Sequence, residues 1–160
     1  MDKTPLRRAI IGQLQADLDV QTRAALMARE EATHDESRAT SKYETHGQEA
    51  AYLAGSQAKL AVEIQESIAL WNSLPLPDFA PDGVIDIGAL VALESRPGRT
   101  VWYLLAPRSG GITVGLDGRE ITLITPQSPL GRQLHGRRIG AVVTLPGRTG
   151  AQPHRVTMIE

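Results

Sequence analysis

The chain has 160 residues, 41% apolar and 22% charged, with a formal net charge of −1, so no strong overall field draws it to nucleic acid or membrane. It contains no cysteine, which excludes disulfides and thiolate-held zinc or iron–sulfur centres. The charged start Met1-Asp2-Lys3-Thr4-Pro5 lacks the apolar stretch of a signal peptide, and no run approaches the roughly 20 apolar residues that cross a bilayer. The expectation is a soluble cytoplasmic protein with no membrane partner.

Composition changes abruptly at Leu74-Pro75. Before it stand one proline and three glycines; after it come nine prolines and twelve glycines in 86 residues. Helix interiors exclude proline and penalise glycine, whereas turns between short strands need both. Charge divides at the same point. Residues 1–74 carry eight basic against eleven acidic side chains, and residues 75–160 carry nine basic, all arginine, against seven acidic.

In the first half, Ile11, Leu14, Leu18 and Ala25 recur at helical spacing, and Leu53, Leu60, Ile64 and Trp71 form a second stripe. Between them, Glu30 to Lys42 contains no large apolar residue. Two amphipathic helices flanking a polar segment bury their stripes most economically against each other, as an antiparallel coiled-coil hairpin. The first arm, about 27 residues, would be about 40 Å long. The turn is expected at about residues 32–37, where Thr33, Asp35 and Ser37 each offer an oxygen to cap the second helix. Tyr43 and Tyr52 are expected near the seam.

Residues 75–83 read as a stiff Pro-rich linker that ends the helix. Strands are expected at about 85–94, 99–106, 112–116, 119–125, 138–145 and 154–159. Turns are expected at Pro97-Gly98, Ser109-Gly110-Gly111, Asp117-Gly118 and Pro146-Gly147. Ser128-Pro129 starts one short helix that Gly136 ends. The fold class is α+β, in three parts: a helical hairpin over 1–74, a linker over 75–83, and a small antiparallel sheet domain with one short helix over 84–160.

The segment Ile124 to Leu145 (ITPQSPLGRQLHGRRIGAVVTL) resembles the C-terminal signature of Gre-family transcript cleavage factors. Val84 to Leu93 (VIDIGALVAL) is similar to that family's first C-domain strand. Leu14 to Asp19, Ala28-Arg29-Glu30 and Tyr43 to Leu60 are similar to its helical arm and the residues flanking its tip. The match is colinear over nearly the whole chain. The resemblance implies an FKBP-like C-terminal domain that docks on RNA polymerase beside the secondary channel, using Gln127, Ser128, Pro129, Leu130 and Arg132. It further implies a hairpin that enters the channel and meets nascent RNA in backtracked complexes. The protein would then be no enzyme itself, but an activator of the polymerase's own RNA cleavage.

Phosphodiester hydrolysis at a two-metal site needs two Mg²⁺ ions about 3.5–4 Å apart. Mg²⁺ keeps several waters, so one or two added carboxylates can retain a weakly held second ion. Asp35 and Glu36 are the candidates for this catalytic and metal-ligand role, with Mg²⁺ belonging to the polymerase centre and no cofactor of the chain's own. The structural reading of the same pair is a cap and a favourable charge at the second helix's N-terminus. The family carries Asp and Glu three residues apart, whereas here the two carboxylates are adjacent. A Gre-like regulator that occupies the channel without supporting cleavage is therefore the alternative. An FKBP-like isomerase or chaperone is the alternative of another class, and would need an aromatic-lined pocket.

Overall fold

The computed structural model describes residues 2–36, 44–95, 98–147 and 150–160, with the backbone alone at 35, 36 and 44–47. Two long helices come first, α1 (Thr4–Glu36) and α2 (Glu44–Ser73). Six strands and one short helix follow: β1 (Leu90–Ser95), β2 (Arg99–Leu105), β3 (Thr113–Leu116), β4 (Arg119–Ile124), α3 (Pro129–Leu134), β5 (Val142–Gly147) and β6 (Gly150–Ile159). The α+β layout is the expected one. Contacts divide the chain into one unit of Met1–Ile10 with Ser73–Glu160, and a second of Ile11–Asn72.

The start of α1 follows from local chemistry. Asp2 accepts from the Thr4 amide at 2.9 Å, which satisfies a donor left open at the helix start. The bonds from Thr4 hold the Asp2 carboxyl below the usual carboxylate range. Pro5 sits in the first turn, where its missing N–H costs nothing. The helix then runs unbroken through Glu36, so its 33 residues span about 50 Å. The expected turn at 32–37 is corrected accordingly: positions 32–36 are helical, and Thr33 donates to the Arg29 carbonyl at 2.8 Å within α1. Because α2 begins at Glu44, neither Thr33 nor Asp35 caps it. Ser37 and Tyr43 lie outside the described residues.

In the unit of residues 11–72, burial repeats at three- and four-residue intervals on both helices. On α1 it marks Leu14, Leu18, Gln21, Ala25, Ala28 and Ala32; on α2 it marks Ala50, Ala54, Gln57, Ala61, Ile64, Ile68 and Trp71. That is the left-handed coiled-coil spacing. The second stripe is thereby corrected. Leu53 and Leu60 are about half exposed, and Tyr52 is exposed. Following the large apolar residues selects the wrong face here, because six of the thirteen residues that burial marks on the two helices are alanine.

The sheet order is β3-β4-β2-β1-β6-β5. All pairings are antiparallel except β2 with β4, which are parallel. The sheet is thus mixed where an antiparallel one was expected, because β3 turns back between β2 and β4 and places β4 alongside β2 in the same direction. One face carries the core of Val91, Leu93, Leu105, Val156 and Ile159, with Leu134 of α3 over it. On the other, Leu90–Leu104–Leu123 and Ala92–Trp102–Ile121 line up across β1, β2 and β4. All of these except Trp102 are buried, as are Leu6 and Ile10, which belong to the same compact unit.

Two local expectations change. Residues 85–89 are not strand; Gly88 turns there at φ 91°. Pro146 and Gly147 are not a turn but the end of edge strand β5, paired with Ala151 and Gly150. Proline is tolerated on an edge strand because no ladder bond is lost on the open side.

Candidate functional site

The acidic candidates sit at the end of a continuous helix. Positions 35 and 36 form the last turn of α1, and seven residues join them to Glu44 at the start of α2. The side chains of Asp35 and Glu36 lie outside the described residues. Their place at a helix C-terminus reverses the electrostatic expectation. A C-terminus carries the negative end of the helix dipole, so carboxylates there meet like charge. Glu31 stands four positions before Asp35, a like-charge spacing on one helix face. The last turns of α1 carry Glu30, Glu31, Asp35 and Glu36 alongside the basic residues Arg29 and His34. Among the described residues, no group of three metal-ligating side chains comes together. A shallow recess of about 830 Å³ flanks this end of α1, lined by Leu26, Met27, Arg29, Glu30, Glu31, Thr33 and His34.

The two units differ in charge. Residues 11–72 carry five basic against ten acidic side chains, while residues 1–10 with 73–160 carry twelve against eight.

The second candidate region is built around α3. Ser128 is its N-cap, with φ −66° and ψ 156°. The Ser128 hydroxyl accepts from the Gly131 amide at 3.0 Å and donates to the Thr125 carbonyl at 2.8 Å. Pro129 takes the first helical position, where it is pre-shaped for the helix. Gly136 follows the helix at φ 80°, as expected of a terminator. Gly131 has a stricter role, since a Cβ there would lie 1.8 Å from the Thr125 carbonyl oxygen. The helix therefore presses directly on the end of β4. Of the five proposed docking residues, Gln127, Pro129 and Arg132 are exposed, while Ser128 and Leu130 are half-buried and Leu130 packs on the core. Arg138 donates to the Asp82 carbonyl. Gln133 bonds both the N–H and C=O of Thr144, at 2.8 and 3.1 Å, which covers part of edge strand β5.

Sequence reasoning missed Lys3. Its ammonium group is buried, donates to the carbonyls of Pro77 and Gly88, and lies 4.8 Å from the centre of the Phe79 ring. Burial lowers its pKa, against the opposing pull of Asp78 and Glu160. Arg7, one turn on, donates to the Leu74 carbonyl. The residues read as a linker are thus held by Lys3 at Pro77 and Phe79, and Arg7 holds Leu74 just before them, all within one compact unit. The only sequence signal was two cations on the polar side of an amphipathic run, which reads as solvated surface.

Two further recesses of this unit, about 330 and 320 Å³, are both lined mainly by polar residues. Among the described residues, no Phe, Trp or Tyr lines the first; in the second, Arg119 lies over the Trp102 ring at 4.3 Å. No described helix is long and apolar enough to cross a membrane.

No family model matches the chain, and no curated protein matches it. Among solved structures, the chain is similar to the GreA factor homolog 1 (Gfh1) protein of Thermus thermophilus, with 20% identity and a TM-score of 0.39 over 94% of each chain. It is similar to Gfh1 of Thermus aquaticus, with 22% identity and a TM-score of 0.40 over 96% of this chain and 95% of the other. It is also similar to the prokaryotic transcription elongation factor GreA/GreB from Nitrosomonas europaea, with 18% identity and a TM-score of 0.39 over 60% of this chain and 77% of the other. Identities of 18–22% and TM-scores of 0.39–0.40 describe a distant likeness and do not extend to activity.

Proposed function

We propose that this protein is a Gre-type transcription elongation factor that binds RNA polymerase at its secondary channel and stimulates cleavage of backtracked transcripts through Asp35 and Glu36. It is not itself an enzyme. The observation that carries the reading is an adjacent carboxylate pair at the end of a 33-residue helix, seven residues before α2 begins. The colinear motif resemblance of the whole chain supports it. Asp35 and Glu36 would hold a Mg²⁺ ion shared with the polymerase, retaining the second ion that polarises the phosphate and activates water. Gln127, Ser128, Pro129, Leu130 and Arg132 would dock the C-terminal unit, with Gln127, Pro129 and Arg132 exposed for contact.

One observation favours a second reading, occupancy of the channel without cleavage. Consecutive helical positions are about 100° apart around the axis, so positions 35 and 36 lie on different faces of α1. Purified RNA polymerase halted in backtracked complexes separates the two. The first reading expects transcript cleavage with wild-type protein and cleavage at the level of polymerase alone with Asp35→Ala/Glu36→Ala. Binding without stimulated cleavage by the wild type selects the second reading. Stimulated cleavage that survives the double substitution removes Asp35 and Glu36 from the mechanism.

A further inference from the structure

We propose that one long face of the two-helix unit, formed by Val20, Met27, Leu53 and Leu60, docks an apolar protein segment flanked by basic residues, and that this segment belongs to RNA polymerase. The identity of the partner rests on the function proposed above; the face itself does not.

The seam positions define the face. With Leu14, Gln21 and Ala28 at one set of core positions and Leu18, Ala25 and Ala32 at the other, the flanks of α1 can be assigned by helical geometry. Val20 and Met27 lie on one flank, with Ala24 between them. By the same assignment Leu53 and Leu60 lie on the matching flank of α2, with Ser56 between them. Counted back from the ends at Glu36 and Glu44, residues i and 80−i lie equally far along α1 and α2. Val20 is then level with Leu60, Met27 with Leu53, and Ala24 with Ser56. The result is two apolar ridges one heptad apart, about 10 Å, with a small-residue notch between them.

These four side chains are not covered within their own unit. Val20 is 61% exposed, Met27 70%, Leu53 51% and Leu60 44%. Alongside these residues the buried stripe carries Ala25, Ala28, Ala50, Ala54 and Ala61, so here large apolar surface stands outside the hairpin's own core. The opposite flank differs, carrying Gln15, Thr22 and Arg29 on α1 and Ala51, Ala58 and Gln65 on α2. Leu26 and Val62 are exposed there, but they stand eight residues apart in height and form no pair.

Charge selects the occupant. The ridges are bounded at one end by Asp17 and Glu63, and at the other by Glu31 and Glu49, pairs that are again level with each other. Asp17 also accepts from Gln13 at 2.9 Å. Between the two ends the ridges and the notch carry no basic residue, and Arg23 and Lys59 stand at the outer rims of the face. A second copy placed face to face would bring acidic pairs against acidic pairs. A segment with an apolar centre and basic residues about 21 Å apart would instead match both features.

The test uses the full chain, fluorescently labelled, titrated with purified RNA polymerase core. Met27→Glu/Leu53→Glu should weaken binding by about tenfold or more, because two central apolar anchors become charges. Thr22→Glu/Ala51→Glu on the opposite flank should change it by less than about twofold. Circular dichroism should show unchanged helicity in both variants, since neither removes a buried side chain. Wild-type binding that the Met27/Leu53 variant retains in full overturns the docking face while leaving the proposed function standing. Absence of wild-type binding removes both. A wild-type dimer in sedimentation that Met27→Glu/Leu53→Glu dissociates also overturns the proposal, because the occupant is then a second copy.

Discussion

Gly131 offers the sharpest test of how the C-terminal unit is assembled. Replacing it with alanine adds one methyl group whose carbon would lie 1.8 Å from the Thr125 carbonyl oxygen, 2.7 Å from its carbonyl carbon and 2.9 Å from the Ser128 hydroxyl. None of these can yield by a side-chain rotation alone. Two are backbone, and the third is the cap, tied to Thr125 at 2.8 Å. Ordinary overpacking costs about 1–3 kcal/mol, and losing a serine cap costs about 1 kcal/mol more. The expected destabilisation is therefore about 3 kcal/mol or more. In a unit of about 100 residues, that lowers the melting temperature by about 12–24 °C. Gly136→Ala is the internal comparison. It has φ 80° but nothing within 4 Å of an added Cβ, so only backbone strain of about 1–2 kcal/mol applies. Thermal and urea denaturation of the two variants measure the difference. A Gly131→Ala protein no less stable than Gly136→Ala would refute the close seating of α3 on β4.

Two other predictions concern groups buried at a cost. The Lys3 amine is pushed below its ordinary value of 10.5 by burial, so the unfolded chain binds its proton more readily than the folded one between that lowered pKa and 10.5. Stability contributed at this site should therefore rise with pH across that window. Urea denaturation at several pH values should show the stability of wild type minus that of Lys3→Met rising with pH, a difference that cancels the opposite contribution of Tyr103, whose pKa burial raises; a falling difference would mean that the carbonyls and nearby acids outweigh burial. The Oε1 atoms of Gln21 and Gln57 are buried without a hydrogen-bond partner. Gln21→Leu/Gln57→Leu should stabilise the helical unit by about 1–3 kcal/mol, and a lowered melting temperature would show that these amides are satisfied in solution.

Much of the architecture was legible in the sequence because it depends on local rules. Proline and glycine usage placed the end of the long helices at Leu74-Pro75, next to the last residue of α2, Ser73, since those residues act on the backbone wherever they stand. Ser128-Pro129 and Gly136 bracketed α3 for the same reason, and the structure shows the cap and the positive φ they imply. Apolar periodicity showed that two helices exist, but it tracked size rather than burial. It therefore chose Leu53 and Leu60 over the smaller seam residues Ala50, Ala54 and Ala61. Which side of a helix is buried depends on what packs there, and side-chain size alone does not report that.

The acidic pair could be located in the chain but not placed on an element. No glycine or proline marks where α1 ends, and only cooperative helix propagation through Ala32 and Thr33 carried it to Glu36. What tertiary structure alone decided are the non-local choices. These are the parallel pairing of β2 with β4, the inclusion of residues 1–10 in the sheet unit, and the burial of Lys3 against carbonyls 74 and 85 residues away. Each depends on groups that meet only after the chain has folded, so no window of neighbouring residues contains the information.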